Sequence, residues 1–358
     1  MSLPESKIKK IGIPRAISYY NNYPFYHAFF KALGVEVVLS DKTTAQIIKD
    51  GNKYLVSDTC LPIKVFVGHV VNLLDKGVTN IFIPSIQSVG YKINNCSKIR
   101  GLPEIVRNVI NRPINMIEPT LDKTEKIGFK DFWFETAKSI GCSDKKEIKN
   151  AIDAGWEAYD NFREMTQSGV QYSLALENSI NGVCEKRKVQ LVKPISVVIM
   201  GHGYNLFDER ISLNLIKKLE KMNIKIYTSL DVSAENSLNA LNRLGETQYW
   251  ANELDLTGTA AYYMLNKKVD GIIALSSFGC GPDSLMIDEI DYHAKNMGMP
   301  MLQLNIDEHT GEAGFVTRIE AFVDMLVRRK RKDYIPVKPV ETKIAEKKEE
   351  KVLLNSLS

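Results

Sequence analysis

The chain has 358 residues, of which 44% are hydrophobic, and its formal net charge is +4 at pH 7. This length predicts two domains of roughly 150 residues each, because one hydrophobic core rarely serves a chain this long. The small charge argues against a nucleic-acid-binding protein, and the basic run at residues 328–332 lacks interleaved aromatic side chains.

Membrane insertion and secretion are also disfavoured. The longest apolar runs, residues 195–200 and 271–275, are far shorter than the roughly 20 residues that a bilayer requires. The first ten residues are polar and charged, so we expect no secretory signal. Five cysteines are an odd number without the density of a disulfide scaffold, and we expect them to be reduced. These features predict a cytoplasmic protein that binds neither nucleic acid nor membrane.

Short β-branched runs alternate with helical patterns in the first part of the chain. We predict strands at residues 7–13, 35–40 and 79–84. Helices are predicted at residues 24–33 and 61–74, and they are closed by Gly34 and Gly77 respectively. This alternation indicates a parallel sheet that is covered by helices on both faces.

The remainder of the chain repeats this pattern after a helical interval. Residues 126–187 are charged and helical without a strand pattern, and strands are predicted again at residues 195–200, 224–228, 271–275 and 301–305. The prediction is an α/β fold with two doubly wound parallel-sheet lobes that are joined by a helical connector. Its divisions are an N-terminal lobe, the connector, a C-terminal lobe and a charged, disordered tail, at residues 1–125, 126–190, 191–331 and 332–358.

Three cysteines lie in loops that follow predicted strands or precede predicted helices. Cys280 stands between two glycines that allow close backbone approach, and Cys60 and Cys96 also lie close to predicted helix starts. The positive end of a helix stabilises an anionic sulfur. A lone cysteine usually packs as a small apolar side chain, but three in such loops indicate a shared metal site.

The kind of metal follows from ligand geometry. Structural zinc normally uses Cys-x-x-Cys pairs, which this chain lacks, although zinc with His69 or His202 as a fourth ligand stays open. Thiolates spread over loops of two lobes better suit an iron–sulfur cluster in the interlobe cleft, with one iron free of protein ligands. Nucleotide-binding loops of the GxxxxGK[ST] and GxGxxG kinds are absent from the relevant positions.

Four other residues are candidates for a catalytic role. Arg15 could pair with a phosphate or carboxylate, or could tie its strand end to a neighbouring helix. His69 and Asp307 could transfer protons, or could be structural. Ser277 could donate a hydrogen bond to a cluster sulfide, or could cap its turn. The remaining cysteines, Cys142 and Cys184, lie in polar helical surroundings without nearby ligand types.

Several segments together resemble one known family. They are IGIPRAISYYNNYPFYHAFFKALGVEVVLSDKTT, SDTCLPIKVFVGHV, NCSKIRGLPEIVRN, SSFGCGPDS and DEHTGEAGFVTRIEAFVD. In this order, over residues 7–327, they are similar to the 2-hydroxyacyl-CoA dehydratase and benzoyl-CoA reductase family, and more closely to its branch of activase-related proteins of uncharacterised role.

The resemblance implies a [4Fe–4S] cluster on Cys60, Cys96 and Cys280. It also implies a lyase or reductase that acts on an acyl-CoA-type substrate, with single electrons from an ATP-dependent activator protein, in a homo- or heterodimer. A double-cubane cluster needs six thiolates, and this chain has five cysteines. A non-catalytic electron carrier or scaffold for such an activator is the main alternative, and a metal-free small-molecule-binding protein is a third.

Overall fold

The computed structural model describes residues 7–185 and 195–330. The strands in these ranges are β1 (Lys10–Ile13), β2 (Glu36–Leu39), β3 (Asn80–Phe82), β4 (Ser85–Gly90), β5 (Ile93–Asn94), β6 (Asn115–Ile117), β7 (Thr120–Asp122), β8 (Ile195–Met200), β9 (Ile224–Tyr227), β10 (Gly271–Ser277) and β11 (Met301–Ile306). The helices are α1 (Tyr19–Ala32), α2 (Ala45–Tyr54), α3 (Leu61–Asp75), α4 (Ser97–Arg100), α5 (Leu102–Val109), α6 (Phe129–Ser139), α7 (Lys145–Gln167), α8 (Tyr172–Ile180), α9 (Gly203–Leu206), α10 (Leu215–Lys221), α11 (Ala234–Leu244), α12 (Thr259–Leu265), α13 (Gly281–Asn296) and α14 (Glu312–Lys330).

Two four-stranded parallel sheets form the framework. The strand order is β2-β1-β3-β6 in the first sheet and β11-β10-β8-β9 in the second. A small third sheet, β5-β4-β7, extends from the carboxyl end of β3. The mixed α/β class with parallel sheets, predicted from the alternating pattern, is confirmed.

Both sheets contribute to one hydrophobic cluster, which we call the shared layer. It contains apolar side chains of α3, α5, α10 and α14 together with the faces of β3, β8, β10 and β11 that point towards them. Strand β8 shows the alternation clearly: Val197 and Ile199 join the shared layer, whereas Val198 and Met200 join a cluster with α12 and α13 on the other face. A strand that is apolar on both faces is typical of a parallel sheet covered on both sides.

Helix α1 begins five residues before the predicted start at Pro24. Proline has no N–H, so the carbonyl of Tyr20, four residues earlier, has no intrahelical donor. The hydroxyl of Tyr172 donates a hydrogen bond to this carbonyl at 3.0 Å. A contact from α8, 152 positions away in the chain, therefore compensates for the proline, and no local pattern could have indicated it.

Seven of the eight framework strands begin and end within three residues of their predicted positions, whereas β6 was not predicted and the region around Cys96 differs. A long loop was predicted there, but the structure forms β4, β5 and the short helix α4. Helix α2 was also missed. The division at residues 125 and 190 stays a prediction, and the predicted tail at 332–358 lies outside the described residues. None of the helices in the described ranges has the length and apolar character that crossing a membrane requires.

Helices α2 and α3 approach each other through two glycines. A Cβ at Gly51 would lie 1.8 Å from the carbonyl oxygen of Lys64, and one at Gly68 would lie 2.0 Å from that of Ile47. We expect Gly51→Ala to lower the free energy of unfolding by about 1–3 kcal/mol, because the helices must move apart. Urea denaturation measures this loss. Gly314→Ala is the matched control, since this helical glycine has open space around it and alanine favours a helix. Equal stability of the two variants would contradict the packing argument.

Candidate metal centre

The three candidate cysteines occupy equivalent positions at the starts of helices. Cys60 is the residue that caps the N-terminus of α3, Cys96 caps the short helix α4, and Cys280 caps α13. Proline follows within the first two positions of α3 and α13, where its missing N–H costs nothing. Each sulfur therefore lies beside backbone N–H groups that have no partner in the preceding turn and that favour negative charge.

The topology explains why loops from distant segments meet. The helices after β8 and β10 pack on opposite faces of the second sheet, because α10 joins the shared layer and α13 joins the cluster on the other side. In an open α/β sheet, a crevice forms where neighbouring strands continue to opposite faces. His202 follows β8 and Cys280 follows β10, so both lie at this crevice.

A pocket at this crevice includes residues at and after β5 of the small third sheet and residues that follow β8 and β10 of the second sheet. Cys96, His202, Tyr204 and Cys280 contribute to its lining, and its cavity volume is about 20 Å³. Cys60 lies near the same group, since a negative charge on Cys60 raises the pKa of Cys280. The pKa of Tyr204 responds to the charges of all three cysteines. The structure thus brings Cys60, Cys96 and Cys280 together.

The thiols of Cys60 and Cys280 favour their protonated form in the absence of a metal. Burial raises the pKa of Cys60, and the positive charge of Lys98 lowers it in part. Burial also raises the pKa of Cys280, and the neighbouring carboxylate of Asp283 raises it further. Since a thiolate is the form that binds metal, binding at this site would release protons.

His202 and Asp283 form a buried pair beside Cys280. Their Nε2 and Oδ1 atoms are 2.6 Å apart, and the two residues are 7% and 2% exposed. When Nε2–H donates to the carboxylate, Nδ1 stays available as an acceptor or metal ligand. The ring of Tyr204 stacks on His202 with centroids 4.6 Å apart. Ligand atoms of His202, Cys280 and Asp283 lie within 4.8 Å of one another, so these three residues could hold a single metal ion.

A segment before α12 connects the Cys96 region to the second sheet. The N–H of Asn94 donates to the carbonyl of Tyr249 at 3.2 Å, and its carbonyl accepts from the N–H of Ala251 at 3.0 Å. The buried carboxylate of Glu253 accepts hydrogen bonds from the N–H groups of Tyr249 and Trp250 and holds this segment in place. These residues were not predicted, because their spacing in the chain carries no signal for the contact.

A second connection fixes the loop that leads to Cys60. The buried ammonium group of Lys64 lies 2.8 Å from the carbonyl oxygen of Ser57 and 2.6 Å from a carboxylate oxygen of Glu308. Lys64 is on α3, whereas Glu308 follows β11. The ion pair therefore ties the Cys60 loop to the second sheet. Glu308 was part of a motif noted in the sequence, but its role in positioning this loop was not predicted.

Comparison with known proteins identifies the family. Residues 10–231 match the model of the family described as CoA enzyme activase uncharacterised domain. The chain belongs to this family. The match supports the predicted similarity to activase-related proteins. It does not confirm the predicted similarity to the 2-hydroxyacyl-CoA dehydratases. It includes Cys60 and Cys96, whereas Cys280 lies beyond the matched residues.

Other comparisons add little about this family member. No curated protein sequence matches it significantly. A solved structure of the lac repressor dimer, bound to operator and the anti-inducer ONPF, aligns with 85% of this chain and 93% of that chain. The sequence identity is 11% and the TM-score is 0.20, and a score of that size does not establish a shared fold.

Arg15 and His69 lie in a polar cluster at the carboxyl ends of β1 and β2. Arg15 donates from Nε to the carbonyl of Ser40 at 2.7 Å, so it ties β1 to the end of β2. His69 lies nine residues along α3 from Cys60, about 13 Å at the rise of an α-helix. Its Nε2 is 3.0 Å from Thr43, which donates its own proton to the carboxylate of Asp208. His69 therefore donates from Nε2, and its Nδ1 is buried without a hydrogen-bond partner among the described residues.

The side chains of Ser277 and Asp307 form hydrogen bonds with neighbouring protein residues. The hydroxyl of Ser277 donates to Asn205 at 2.9 Å, and its carbonyl accepts from the N–H of Cys280 at 3.1 Å. Asp307 accepts from the N–H of His309 and from the Thr310 hydroxyl, at 2.9 and 2.8 Å, as in a turn that precedes a helix.

The other two cysteines are separate from this centre. Cys142 is buried in the hydrophobic cluster around α1 and α6, which differs from the polar surroundings predicted for it, and its thiol lies 3.5 Å from Glu147. Cys184 is exposed to solvent. All five cysteines are free thiols.

The buried His69 makes stability depend on pH. Burial, with the charge of Arg15, lowers the pKa of His69 to about 3 in the folded chain, against 6.5 ordinarily. The unfolded chain therefore binds the proton first, and stability that is present above pH 6.5 is lost as the pH falls. We expect a loss of about 2 kcal/mol from this group between pH 7 and pH 5. Urea denaturation over this range measures it.

The glutamine of His69→Gln cannot take up a proton. Between pH 7 and pH 5 this variant should therefore lose about 2 kcal/mol less stability than the parent chain. His309→Gln is the matched control because His309 is exposed, and this variant should keep the slope of the parent chain. Identical slopes in both variants would rule out His69 as the source.

Proposed function

We propose that this chain binds a [4Fe–4S] cluster through Cys60, Cys96 and Cys280 and is a redox component of an acyl-CoA dehydratase-type system. The observation that carries this proposal is the convergence of three helix-capping cysteines, from loops of both sheets, on one crevice. The family match supports the association with CoA enzymes. The crevice would be the cleft between two lobes, each built on one four-stranded sheet.

The donor set fits such a cluster. Iron–sulfur clusters are held by cysteine thiolates, and a cubane spans a greater distance than one metal ion. The thiols of Cys60 and Cys96 do not belong to the group of ligand atoms that lies within 4.8 Å around Cys280. A wider spacing of this kind favours several metal atoms over one ion that all three cysteines share.

The protein residues would stabilise the charge at this site. The N-termini of α3 and α13 favour the thiolates of Cys60 and Cys280, and the charge of Lys98 favours that of Cys60. When bound, the cluster would accept and donate single electrons. Three thiolates leave one iron without a cysteine ligand, and His202 and Tyr204 line the pocket on which the cysteines converge.

The partner in this proposal is an ATP-dependent activator protein that supplies the electrons. Large apolar side chains lie exposed beside Cys280: Phe278 is 71% exposed and Leu285 is 65% exposed. These two side chains are available for contact with a partner protein. The chain would then be a lyase or reductase acting on an acyl-CoA-type substrate. The alternative is a non-catalytic electron carrier or scaffold for the activator.

Anaerobic purification with iron and sulfide analysis tests the cluster. We expect about four irons and four sulfides per chain. Replacing Cys60, Cys96 or Cys280 with alanine should reduce the iron content at least severalfold, because each variant loses one ligand. Cys184→Ala is the matched control, since that exposed thiol lies apart from the centre, and its iron content should equal that of the parent chain. Iron that persists in all three variants, or its absence from the parent, would refute the proposal.

Acyl-CoA addition distinguishes an enzyme from a carrier. If the iron without a cysteine ligand binds substrate, we expect an acyl-CoA to change the electron paramagnetic resonance spectrum of the reduced protein. His202→Gln should alter this response while keeping the iron content, because His202 lines the pocket but is not among the cysteine ligands. An unchanged spectrum with every thioester, alongside normal reduction by an activator, would favour the electron carrier.

A mononuclear zinc site is the second candidate, and the close group of His202, Cys280 and Asp283 favours it. In that case, aerobically purified protein should contain one zinc per chain. Asp283→Asn should then lower the zinc affinity by about 10–100-fold, as is typical when a residue that supports a metal site is replaced. Cys96→Ala should leave the zinc affinity unchanged. Loss of metal in Cys96→Ala would exclude this candidate and favour the cluster.

A further inference from the structure

A second cavity lies away from the cysteines, between α7 and the chain that follows β9. Its volume is about 280 Å³, and its walls come from α1, α7, α11 and the π-helical turn Leu254–Gly258. It lies at the carboxyl end of β9, where α/β sheets commonly bind ligands. π-helical turns also occur frequently at functional sites. The cavity contains no cysteine.

Arg163 provides a fixed positive charge in the cavity wall. Its Nη2 donates to the carbonyls of Ser229 and Val232, at 3.3 and 3.0 Å, and these bonds hold the guanidinium in position. Nε and Nη1 make no hydrogen bond within the described residues. The start of α11 adds positive potential on the same side, because Ser233 caps this helix and, with Ala234, lines the cavity. This side of the cavity favours an anion.

Asp255 provides an acidic group on another wall. It lies in the π-helical turn, and its carboxyl group makes no hydrogen bond within the described residues. Burial raises its pKa, and the charges of Arg163 and His202 lower it in part. Arg163 and Asp255 are thus close enough to influence each other, yet they form no ion pair in the described chain. A ligand between them could satisfy both groups.

Further polar side chains complete the lining. Ser237 is 2% exposed, lines the cavity and makes no side-chain hydrogen bond within the described residues. Gln167 and Asn21 add amide groups from α7 and α1. A hydroxyl that lines the cavity can donate a hydrogen bond to a polar ligand. These groups together describe a built polar site.

We propose that this cavity binds a small organic carboxylate that also carries a hydroxyl or amino group. The carboxylate pairs with Arg163 and the start of α11, and the hydroxyl or amino group donates to Asp255. Ser237 supplies a further hydrogen bond. A volume of 280 Å³ equals that of about nine water molecules. A ligand of about nine non-hydrogen atoms would fill this volume.

Isothermal titration calorimetry with three unbranched acids of equal size tests this proposal on the full chain. 6-Aminohexanoate and 6-hydroxyhexanoate carry the donor, and heptanoate has a methyl group in its place. We expect one or both donor-bearing acids to bind at least tenfold more tightly than heptanoate. The better of the two identifies the donor as an amino or a hydroxyl group. Equal binding of all three acids, or no heat from any of them, overturns the proposal.

Two variants assign the binding to this cavity. Arg163→Gln should weaken binding of the preferred acid at least tenfold, and Asp255→Asn should bring its affinity close to that of heptanoate. Asp255→Asn preserves the shape of a side chain that makes no hydrogen bond in the described part of the chain, so we expect this variant to fold normally, which circular dichroism checks. Arg243→Gln, an exposed change on α11, is the control and should leave binding unchanged. Full affinity in Asp255→Asn overturns the proposal.

Discussion

The hydrophobic layer shared by the two sheets determines where the cysteines lie. Helices α3 and α5 from the first sheet pack in it together with α10 and α14 from the second. Burial of one Leu, Ile or Phe side chain contributes about 1.5–3 kcal/mol, so a layer of this extent holds the sheets firmly against each other. Cys60 and Cys96 pack at its margin. The relative position of the helix starts, and so of the three sulfurs, follows from this packing.

Polar contacts then set the details that apolar packing leaves free. Lys64 joins the Cys60 loop to Glu308, and backbone hydrogen bonds join Asn94 to the segment at Tyr249. Removing one partner of a buried ion pair typically costs 3–5 kcal/mol, because the other charge stays buried without a partner. These links are therefore sensitive points. They act on the loops that carry Cys60 and Cys96, and not on the sheets themselves.

The two pockets lie close together but differ in chemistry. The pocket at the cysteines is lined by sulfur, imidazole and aromatic groups, which suit metal and electron transfer. The cavity beside α7 is lined by a guanidinium, a carboxyl group and hydroxyls, which suit a small polar molecule. The charge of His202 lowers the pKa of Asp255, so the two sites influence each other electrostatically. Both depend on the segment at residues 249–258, which contributes to each lining.

Local patterns in the sequence determined seven of the eight strands of the two large sheets, their parallel arrangement, and Cys60 and Cys280 at helix starts. Strand β8 could be predicted because a buried parallel strand is continuously apolar. The position of Cys280 at a helix start could be predicted because two glycines and a proline surround it. Only the tertiary structure decided that His202 pairs with Asp283, 81 residues away, and that Tyr172 compensates for Pro24. It also decided that Arg163 and Asp255 face one cavity. Such pairs depend on which helix faces pack together, and that choice depends on the summed burial of many distant side chains, which no short segment encodes.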